Sequence, residues 1–141
     1  MYRYFALIWK TENGEAQATA RLLASRLQSV SAEWEHVESA EGFCAFHSAT
    51  GRGSCDTLVM SGQRGAVFGR LFQRTLDIEE TAVVRAIGER EGSRIVASRG
   101  TALLEQHWGR YVAVIRDTAS GEVLVLRDPT GTLPCFTTSH H

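Results

Sequence analysis

Residues 108–136 read WGRYVAVIRDTASGEVLVLRDPTGTLPCF, and this stretch decides the fold. Two apolar runs rich in β-branched residues, 111–115 and 123–126, predict two strands. Asp117 and Gly121 lie between the runs and are typical of a short hairpin loop. The stretch therefore predicts a β-hairpin.

Both strands of this hairpin are apolar on both faces. In the first strand Tyr111, Ala113 and Ile115 share one face, while Val112 and Val114 share the other. Such a strand needs packing partners above and below it, so the hairpin does not belong to a sheet with one side in water. With the helical patterns elsewhere in the chain, this predicts a mixed α/β or α+β fold.

The same stretch carries a resemblance to a known family. A glycine opens the strand that ends in Asp117, residues 121–128 read GEVLVLRD, and residues 127–134 follow the pattern Arg-Asp-x-x-Gly-x-x-Pro. These motifs resemble the class II glutamine amidotransferase domain of asparagine synthetases. The motif Arg-Asp-Pro-Thr-Gly-x-Leu-Pro is most similar to the corresponding motif of the asparagine synthetase-like macrolactam synthetases, or cyclases, that close lasso peptides. The resemblance covers residues 100–136.

The resemblance implies a specific architecture. It implies an α/β fold, the four-layer αββα sandwich of the Ntn-hydrolase type, with residues 1–141 as a single degenerate amidotransferase-like domain. In the family this domain continues further, and an ATP-using synthetase domain follows it. The chain is therefore expected to be truncated at its C-terminus, with the synthetase domain absent.

Length, charge and cysteine content exclude several classes of function. A length of 141 residues fits one domain, and with a net charge of −1 the scattered cations form no nucleic-acid-binding stripe. The apolar run 5–9 is too short for a signal segment or a membrane span. Cys44, Cys55 and Cys135 are an odd number without a CxxC spacing, which favours reduced thiols. We therefore expect a cytoplasmic domain with no nucleic-acid or membrane partner and no metal site.

Apolar spacing predicts the remaining elements. Asn13 is a typical helix N-cap, and Asp77 with Glu80 three residues later resembles a capping box. The expected inner face of the first helix consists of Ala16, Ala20, Leu23, Leu27 and Val30. The predicted elements are a buried strand over 3–9, a helix over 14–29, strands over 32–37, 42–47, 57–60 and 66–72, a helix over 77–87, short helices over 93–99 and 101–107, and the start of a strand over 133–138.

The resemblance also locates the catalytic centre of an active family member. A cysteine at the mature N-terminus attacks the glutamine side-chain amide, and its own α-amine acts as the base. Here Tyr2 occupies that position, and a phenol with a pKa of about 10 does not replace a thiolate. Self-processing to expose Cys44 or Cys55 is disfavoured, because it would remove the first strand. We therefore predict no catalytic residue.

Two further family motifs are altered. The oxyanion motif Asn-Gly-Glu-Ile-Tyr-Asn aligns best with residues 68–73, where Gly69 is retained but Phe68 has no donor for an oxyanion. Arg70 reverses the charge of the glutamate that holds the substrate in the family. The acidic Gly-Ser-Asp-x-Glu motif has only Gly-Ser-Arg at 92–94. The resemblance therefore implies a degenerate pocket of Tyr2, Phe68, Gly69 and Arg70.

Other residues have both a functional and a structural interpretation. Arg127, Asp128 and Gly131 could contact a ligand, but a role in fixing the turn after the hairpin is favoured. His47 and His107 could act as acid–base groups, but partly buried histidines with satisfied hydrogen bonds are the favoured interpretation.

The resemblance implies the N-terminal domain of an ATP-dependent amide-forming ligase, without glutaminase activity and with a structural or docking role. In the lasso-peptide branch, ATP activates a side-chain carboxylate and the peptide's own amine attacks it, so no ammonia source is needed. No cofactor is expected in this chain, while ATP and Mg²⁺ belong to the synthetase domain. The expected partners are that domain and the precursor peptide. The alternatives are the N-terminal part of a glutamine-hydrolysing asparagine synthetase and a stand-alone binding module.

Overall fold

The computed structural model describes residues 2–31, 33–49, 57–75 and 82–139. In these residues it shows a mixed α/β fold with three helices and two antiparallel sheets. The first sheet has the strand order β1-β3-β2 and the second the order β4-β5-β6-β7. The elements are β1 (Tyr2–Ile8), α1 (Gly14–Val30), β2 (Glu35–Ala40), β3 (Phe43–Ala49), β4 (Thr57–Val59), β5 (Gly65–Gln73), α2 (Glu89–Ala97), α3 (Thr101–Gln106), β6 (His107–Arg116) and β7 (Val123–Arg127).

The predicted hairpin is formed by β6 and β7. Val114 pairs with Val125 in an antiparallel register, and Asp117 Oδ1 accepts a hydrogen bond of 2.9 Å from the backbone N–H of Ala119 in the loop. Tyr111 belongs to the apolar cluster on one face of β6, and Val114 belongs to the cluster on the other face. The expectation of cover on both faces is therefore confirmed for β6, whereas in the edge strand β7 Val125 is 38% exposed.

The two sheets pack face to face through one of these clusters. Phe43 and Ala45 of β3 contact Ala66 and Phe68 of β5 and Val114 of β6, and all five are buried. Side chains alternate between the faces of a strand, so residues two apart on β3 and on β5 point into the same space. This inter-sheet core includes Phe68, one of the predicted pocket residues.

The outer face of the second sheet is covered by α2 and α3. Ile95 and Leu103 from these helices pack with Leu71 and Tyr111 from the strands. Gly100 joins the two helices with a φ of 86°, and a Cβ there would lie 3.1 Å from the Ile115 side chain. Glycine is required at this joint, because it combines a left-handed backbone with a close approach to the sheet. The predicted break at Gly100 is confirmed.

Helix α1 begins as predicted, but its buried face is smaller than the pattern indicates. The Asn13 side chain accepts a 3.0 Å hydrogen bond from the N–H of Ala16, which confirms the N-cap. Ala20 is buried, whereas Leu23 is 40% exposed and Val30 82% exposed. The helix contacts β1 at the edge of the first sheet, so only part of its apolar face is covered.

The expectation that β1 is buried on both faces is wrong for the same reason. Phe5 is 38% exposed and Ile8 46% exposed. Tyr2 and Tyr4 instead face the inter-sheet core and are partly buried. Side chains alternate between the faces of β1, so Phe5 lies on the face opposite Tyr4, where α1 covers only part of the strand, and Ile8 is the last residue of the strand.

The structure also corrects two predictions of secondary structure. Of the predicted helix 77–87, residues 82–87 are not helical: Val83 pairs with Phe72, and Ile87 pairs with Met60. The backbone groups of this segment are therefore paired with distant residues of the chain and not with the neighbours that a helix would supply. Asp77 and Glu80 lie outside the described residues. The predicted strand over 133–138 is absent, and residues 134–139 have no regular structure.

His107 links the first residue of β6 to α2. Its side chain is 2% exposed, and its Nε2 lies 3.0 Å from Oε1 of Glu91. Burial lowers the pKa of His107 below its ordinary value of 6.5, and the nearby Arg94 lowers it further, while Glu91 acts in the opposite direction. His107 is therefore buried and paired with Glu91, but its Nδ1 makes no hydrogen bond to the described residues, so the expectation of a partly buried histidine with satisfied hydrogen bonds is met only in part.

The lowered pKa predicts a loss of stability in acid. The unfolded chain takes up a proton near the ordinary histidine pKa of about 6.5, which the folded His107 resists, so acid favours unfolding. Replacing histidine with glutamine in His107→Gln removes this proton uptake. We expect its free energy of unfolding to depend less on pH between about 7 and 5 than that of the parent. Urea titrations at several pH values measure this slope.

The exposed His36 provides the control for this effect. His36→Gln makes the same substitution at an exposed histidine and should retain the parent's pH dependence. Equal slopes for His107→Gln and the parent would contradict the prediction.

Candidate functional site

The predicted pocket residues lie on two strands, with Tyr2 at the start of β1 and Phe68, Gly69 and Arg70 in the middle of β5. Tyr2 begins β1, and its hydroxyl is 2.8 Å from Oγ1 of Thr57 on β4. Thr57 pairs with Phe68 of β5. Tyr2 and Phe68 are therefore brought to the same end of the inter-sheet space. Gly69 follows on the opposite face of β5, and Arg70 returns to the face of Phe68.

Phe68 fills this end of the inter-sheet core. Its side chain is fully buried, and its ring stacks on that of Tyr4 with centroids 4.8 Å apart and an interplanar angle of 20°. The ring of Tyr2 lies 6.4 Å from that of Tyr4. The space is thus occupied by aromatic rings, and Phe68 presents no hydrogen-bond donor.

Sequence analysis missed Tyr4 as a member of this cluster. The Tyr4 hydroxyl donates a hydrogen bond to the carbonyl of Pro134, so the segment after β7 closes over β1. Burial raises the pKa of Tyr4, and the neighbouring Cys135 thiol raises it further. Its two-residue spacing from Tyr2 was the available signal, because residues two apart on a strand share a face.

Gly69 is explained by close packing of the strands. It has a φ of 109°, and a Cβ there would lie 2.2 Å from the carbonyl oxygen of Arg110 on β6. Gly109 makes the reciprocal approach, with a would-be Cβ 2.2 Å from the carbonyl oxygen of Arg70. The presence of glycine at position 69 therefore has a structural cause that does not depend on an oxyanion.

The turn after the hairpin is organised by Asp128, which is 3% exposed. Its carboxylate accepts hydrogen bonds from the N–H groups of Tyr111 at 3.2 Å, Thr130 at 2.9 Å and Gly131 at 3.1 Å. The guanidinium of Arg127 donates to the carbonyl of Gly131. These contacts place Arg127, Asp128 and Gly131 together in the turn, and Arg127 pairs with Val112, the β6 neighbour of Phe68.

A hydrogen-bonded relay at the pocket end was not predicted. Oε2 of Glu35 lies 3.1 Å from Nε2 of His47, and Nδ1 of His47 lies 2.6 Å from Oγ1 of Thr57. Thr57 in turn contacts the hydroxyl of Tyr2. The four residues come from β2, β3, β4 and β1, so only the strand register brings them together, and a single sequence does not specify that register.

Cys44 does not resemble a nucleophile. It is 5% exposed, and burial raises its pKa to about 11. The thiolate is the reactive form of cysteine, so a buried thiol with a raised pKa is unreactive near neutral pH. Cys55, the other internal candidate, lies outside the described residues.

A cavity of about 410 Å³ lies elsewhere, between α2 and the β6–β7 hairpin. Arg64, Arg99, Asp117 and Glu122 are among its lining residues. Arg99 makes two hydrogen bonds to Glu122, of 2.6 and 2.8 Å, and Arg64 donates to the carbonyl of Ser61 at 2.6 Å. These charged groups already have partners within the protein, and none of the predicted pocket residues lines the cavity.

Within the described residues, no cluster of three or more His, Cys, Asp or Glu residues has the geometry of a metal site. None of the helices described is long and apolar enough to cross a membrane.

Comparison with known proteins identifies no relative. No protein-family model, curated protein or solved structure matches the chain. The resemblance to amidotransferase domains therefore stays a prediction from the motifs of residues 100–136.

Proposed function

We propose that this chain is the glutaminase-like N-terminal domain of an asparagine synthetase-like, ATP-dependent amide-forming ligase of the lasso-peptide cyclase type. It has lost the glutaminase reaction and acts as a structural or docking domain for the synthetase domain. In this proposal its fold is the αββα sandwich of the Ntn-hydrolase type.

The layer arrangement supports the proposed fold. The two sheets share an apolar core, α2 and α3 cover the outer face of the second sheet, and α1 contacts β1 of the first. The order of a strand, a helix, several strands, helices and a hairpin is compatible with such a sandwich.

The observation that carries the functional proposal is the stacking of Phe68 on Tyr4. An amidotransferase needs a donor where its oxyanion develops and open space for glutamine beside the nucleophile. Here two stacked aromatic rings occupy the corresponding end of the inter-sheet core. Tyr2 places a phenol at the start of β1, and its hydroxyl is hydrogen-bonded to Thr57.

The loss of glutaminase chemistry is compatible with amide formation in the proposed ligase. When the attacking amine belongs to the peptide itself, no ammonia has to be released from glutamine. ATP and Mg²⁺ are then bound by the synthetase domain, which activates the carboxylate. The remaining role of this domain is to hold the synthetase domain and the precursor peptide.

A glutamine hydrolysis assay tests the loss of activity. We expect the purified chain to release no ammonia from glutamine above the buffer background, and a diazoketone analogue of glutamine to leave its mass unchanged. Tyr2→Cys should stay inactive too, because Phe68 and Arg70 are unchanged. Ammonia release by the parent chain would support the alternative, a glutamine-hydrolysing asparagine synthetase.

A second arm of this experiment tests the docking role. The DNA that continues or adjoins the coding sequence should encode a synthetase with a Ser-Gly-Gly-x-Asp-Ser pyrophosphate loop. Co-expressed with this chain, that synthetase should co-purify with it. If the adjoining DNA encodes no such loop, a stand-alone binding module is favoured.

A further inference from the structure

We propose that Thr57 is an acyl-accepting nucleophile, activated by His47 as general base, and that it accepts acyl groups from small activated esters. Glu35 is a positioning residue that acts through His47. The proposal does not rest on the function proposed above, since it uses neither glutamine nor the synthetase domain.

The hydrogen-bond partners determine which atom carries each proton. A glutamate carboxylate only accepts hydrogen bonds, so Nε2 of His47 donates to Glu35 across 3.1 Å. In a neutral imidazole the other nitrogen is then an acceptor, and Nδ1 accepts the hydroxyl proton of Thr57 across 2.6 Å. The Thr57 oxygen therefore accepts the hydrogen bond from Tyr2 at 2.8 Å.

This arrangement satisfies the geometric criteria for an activated hydroxyl. The nucleophile and the base are within hydrogen-bond reach, and a carboxylate orients the base from its far side. Glu35 and His47 are opposite each other in the β2–β3 register. The orientation of the imidazole is thus set by paired strands, which hold it more rigidly than a loop would.

Tyr2 provides a donor beside the nucleophile. When Thr57 attacks a carbonyl carbon, negative charge develops on the carbonyl oxygen, which is bonded to the same carbon. The Tyr2 hydroxyl, 2.8 Å from the attacking oxygen, can turn to donate to that oxyanion. It is the counterpart of the donor that Phe68 fails to supply in the glutaminase pocket.

The proposed step balances as an acyl transfer. A bond forms between Thr57 Oγ1 and the acyl carbon, and the hydroxyl proton moves to Nδ1 of His47. The bond from the acyl carbon to the leaving oxygen then breaks, and His47 returns the proton to the departing alcohol. Water then attacks the acyl carbon and gives a proton to His47. The bond from the acyl carbon to Thr57 Oγ1 breaks, the carboxylic acid leaves, and His47 returns the proton to the threonine oxygen.

The exposure of the relay defines the substrate class. The side chain of His47 is 21% exposed and that of Glu35 74% exposed, so the relay is open to solvent from the β2 side. Thr57 itself is partly buried, so the hydroxyl suits a small ester with a good leaving group better than a bulky substrate. We therefore choose p-nitrophenyl acetate as the probe.

The test follows p-nitrophenol release by the full chain and locates the acetyl group by peptide mass spectrometry. We expect acetylation of Thr57. Thr57→Ser should retain acetylation because it keeps the hydroxyl, whereas Thr57→Val should abolish it. His47→Gln should slow acylation about 100-fold, within the usual range for losing a general base. Thr138→Val, which changes an exposed threonine outside the relay, should match the parent.

Two other variants separate catalytic from structural roles. Glu35→Gln should lower the acylation rate constant about tenfold without changing the ester concentration that gives half the maximal rate. Tyr2→Phe should slow acylation about 100-fold, the lower end of the usual loss for one oxyanion donor, and an unchanged rate would overturn the role of Tyr2. Urea unfolding of each variant separates a loss of reactivity from a loss of folding.

The results distinguish this proposal from the proposed function. Acetylation at another residue, or an unchanged rate for folded Thr57→Val, would overturn the role of Thr57 and leave the relay as a link between the sheets. Glutamine hydrolysis would instead contradict the loss of glutaminase activity, whatever happens to the ester.

Discussion

Phe68→Ala is expected to lower the free energy of unfolding by about 3–5 kcal/mol, the usual loss for a large aromatic side chain deleted from a protein core. Phe68 is fully buried between the sheets and stacks on Tyr4. Its removal takes away the buried apolar area and leaves a cavity that the paired strands cannot close. Urea unfolding followed by circular dichroism measures the change.

Phe136→Ala is the matched control, because it deletes the same atoms at a site that is 94% exposed. Its effect should stay within about 0.5 kcal/mol, as for most surface substitutions. A loss of less than about 1.5 kcal/mol for Phe68→Ala would show that the inter-sheet core is not packed tightly at this end.

The contribution of Phe68 to the free energy of unfolding bears on the proposed loss of glutaminase activity. An asparagine at this position would place a polar amide in the inter-sheet core, where it needs hydrogen-bond partners. A phenylalanine instead contributes apolar burial and a ring partner for Tyr4. Under the proposed function no donor is required at this position, and the packing advantage then favours the aromatic residue.

The parts of the fold that could be predicted are those specified by neighbours in sequence. The β6–β7 hairpin follows from two continuous apolar runs rich in β-branched residues and a loop containing Asp117. Helix α1 follows from apolar spacing and the Asn13 cap, and the joint at Gly100 follows from glycine between two short helical patterns. Each signal acts within a few residues, so no knowledge of the rest of the chain is needed.

The parts that could not be predicted depend on contacts between distant segments. Val83 and Ile87 have helical spacing, yet each pairs with a strand more than ten residues away. The exposure of Leu23 depends on how much of α1 the first sheet covers. The relay from Glu35 to Thr57 depends on the register of several strands, and shifting one strand by a single residue would turn its side chain to the other face.

Asp128→Ala is expected to lower the free energy of unfolding by about 2–4 kcal/mol, since each buried donor left without a partner costs about 1–3 kcal/mol. The carboxylate receives the N–H of the buried Tyr111 and also the N–H groups of Thr130 and Gly131. It thereby ties β6 to the turn that follows β7. Alanine cannot replace any of these hydrogen bonds.

Asp117→Ala is the control for this substitution, because Asp117 also accepts hydrogen bonds within a turn, from Ala119 at 2.9 Å and Ser120 at 2.7 Å. Its loop is at the surface, so water replaces the lost acceptor and the expected loss is below about 1 kcal/mol. Asp128→Asn keeps one acceptor oxygen and should give a loss between those of the two alanine variants. If Asp128→Ala were no more destabilising than Asp117→Ala, the turn would be held by Arg127 and the local backbone alone. The larger loss instead identifies the buried carboxylate as the group that fixes the end of the hairpin.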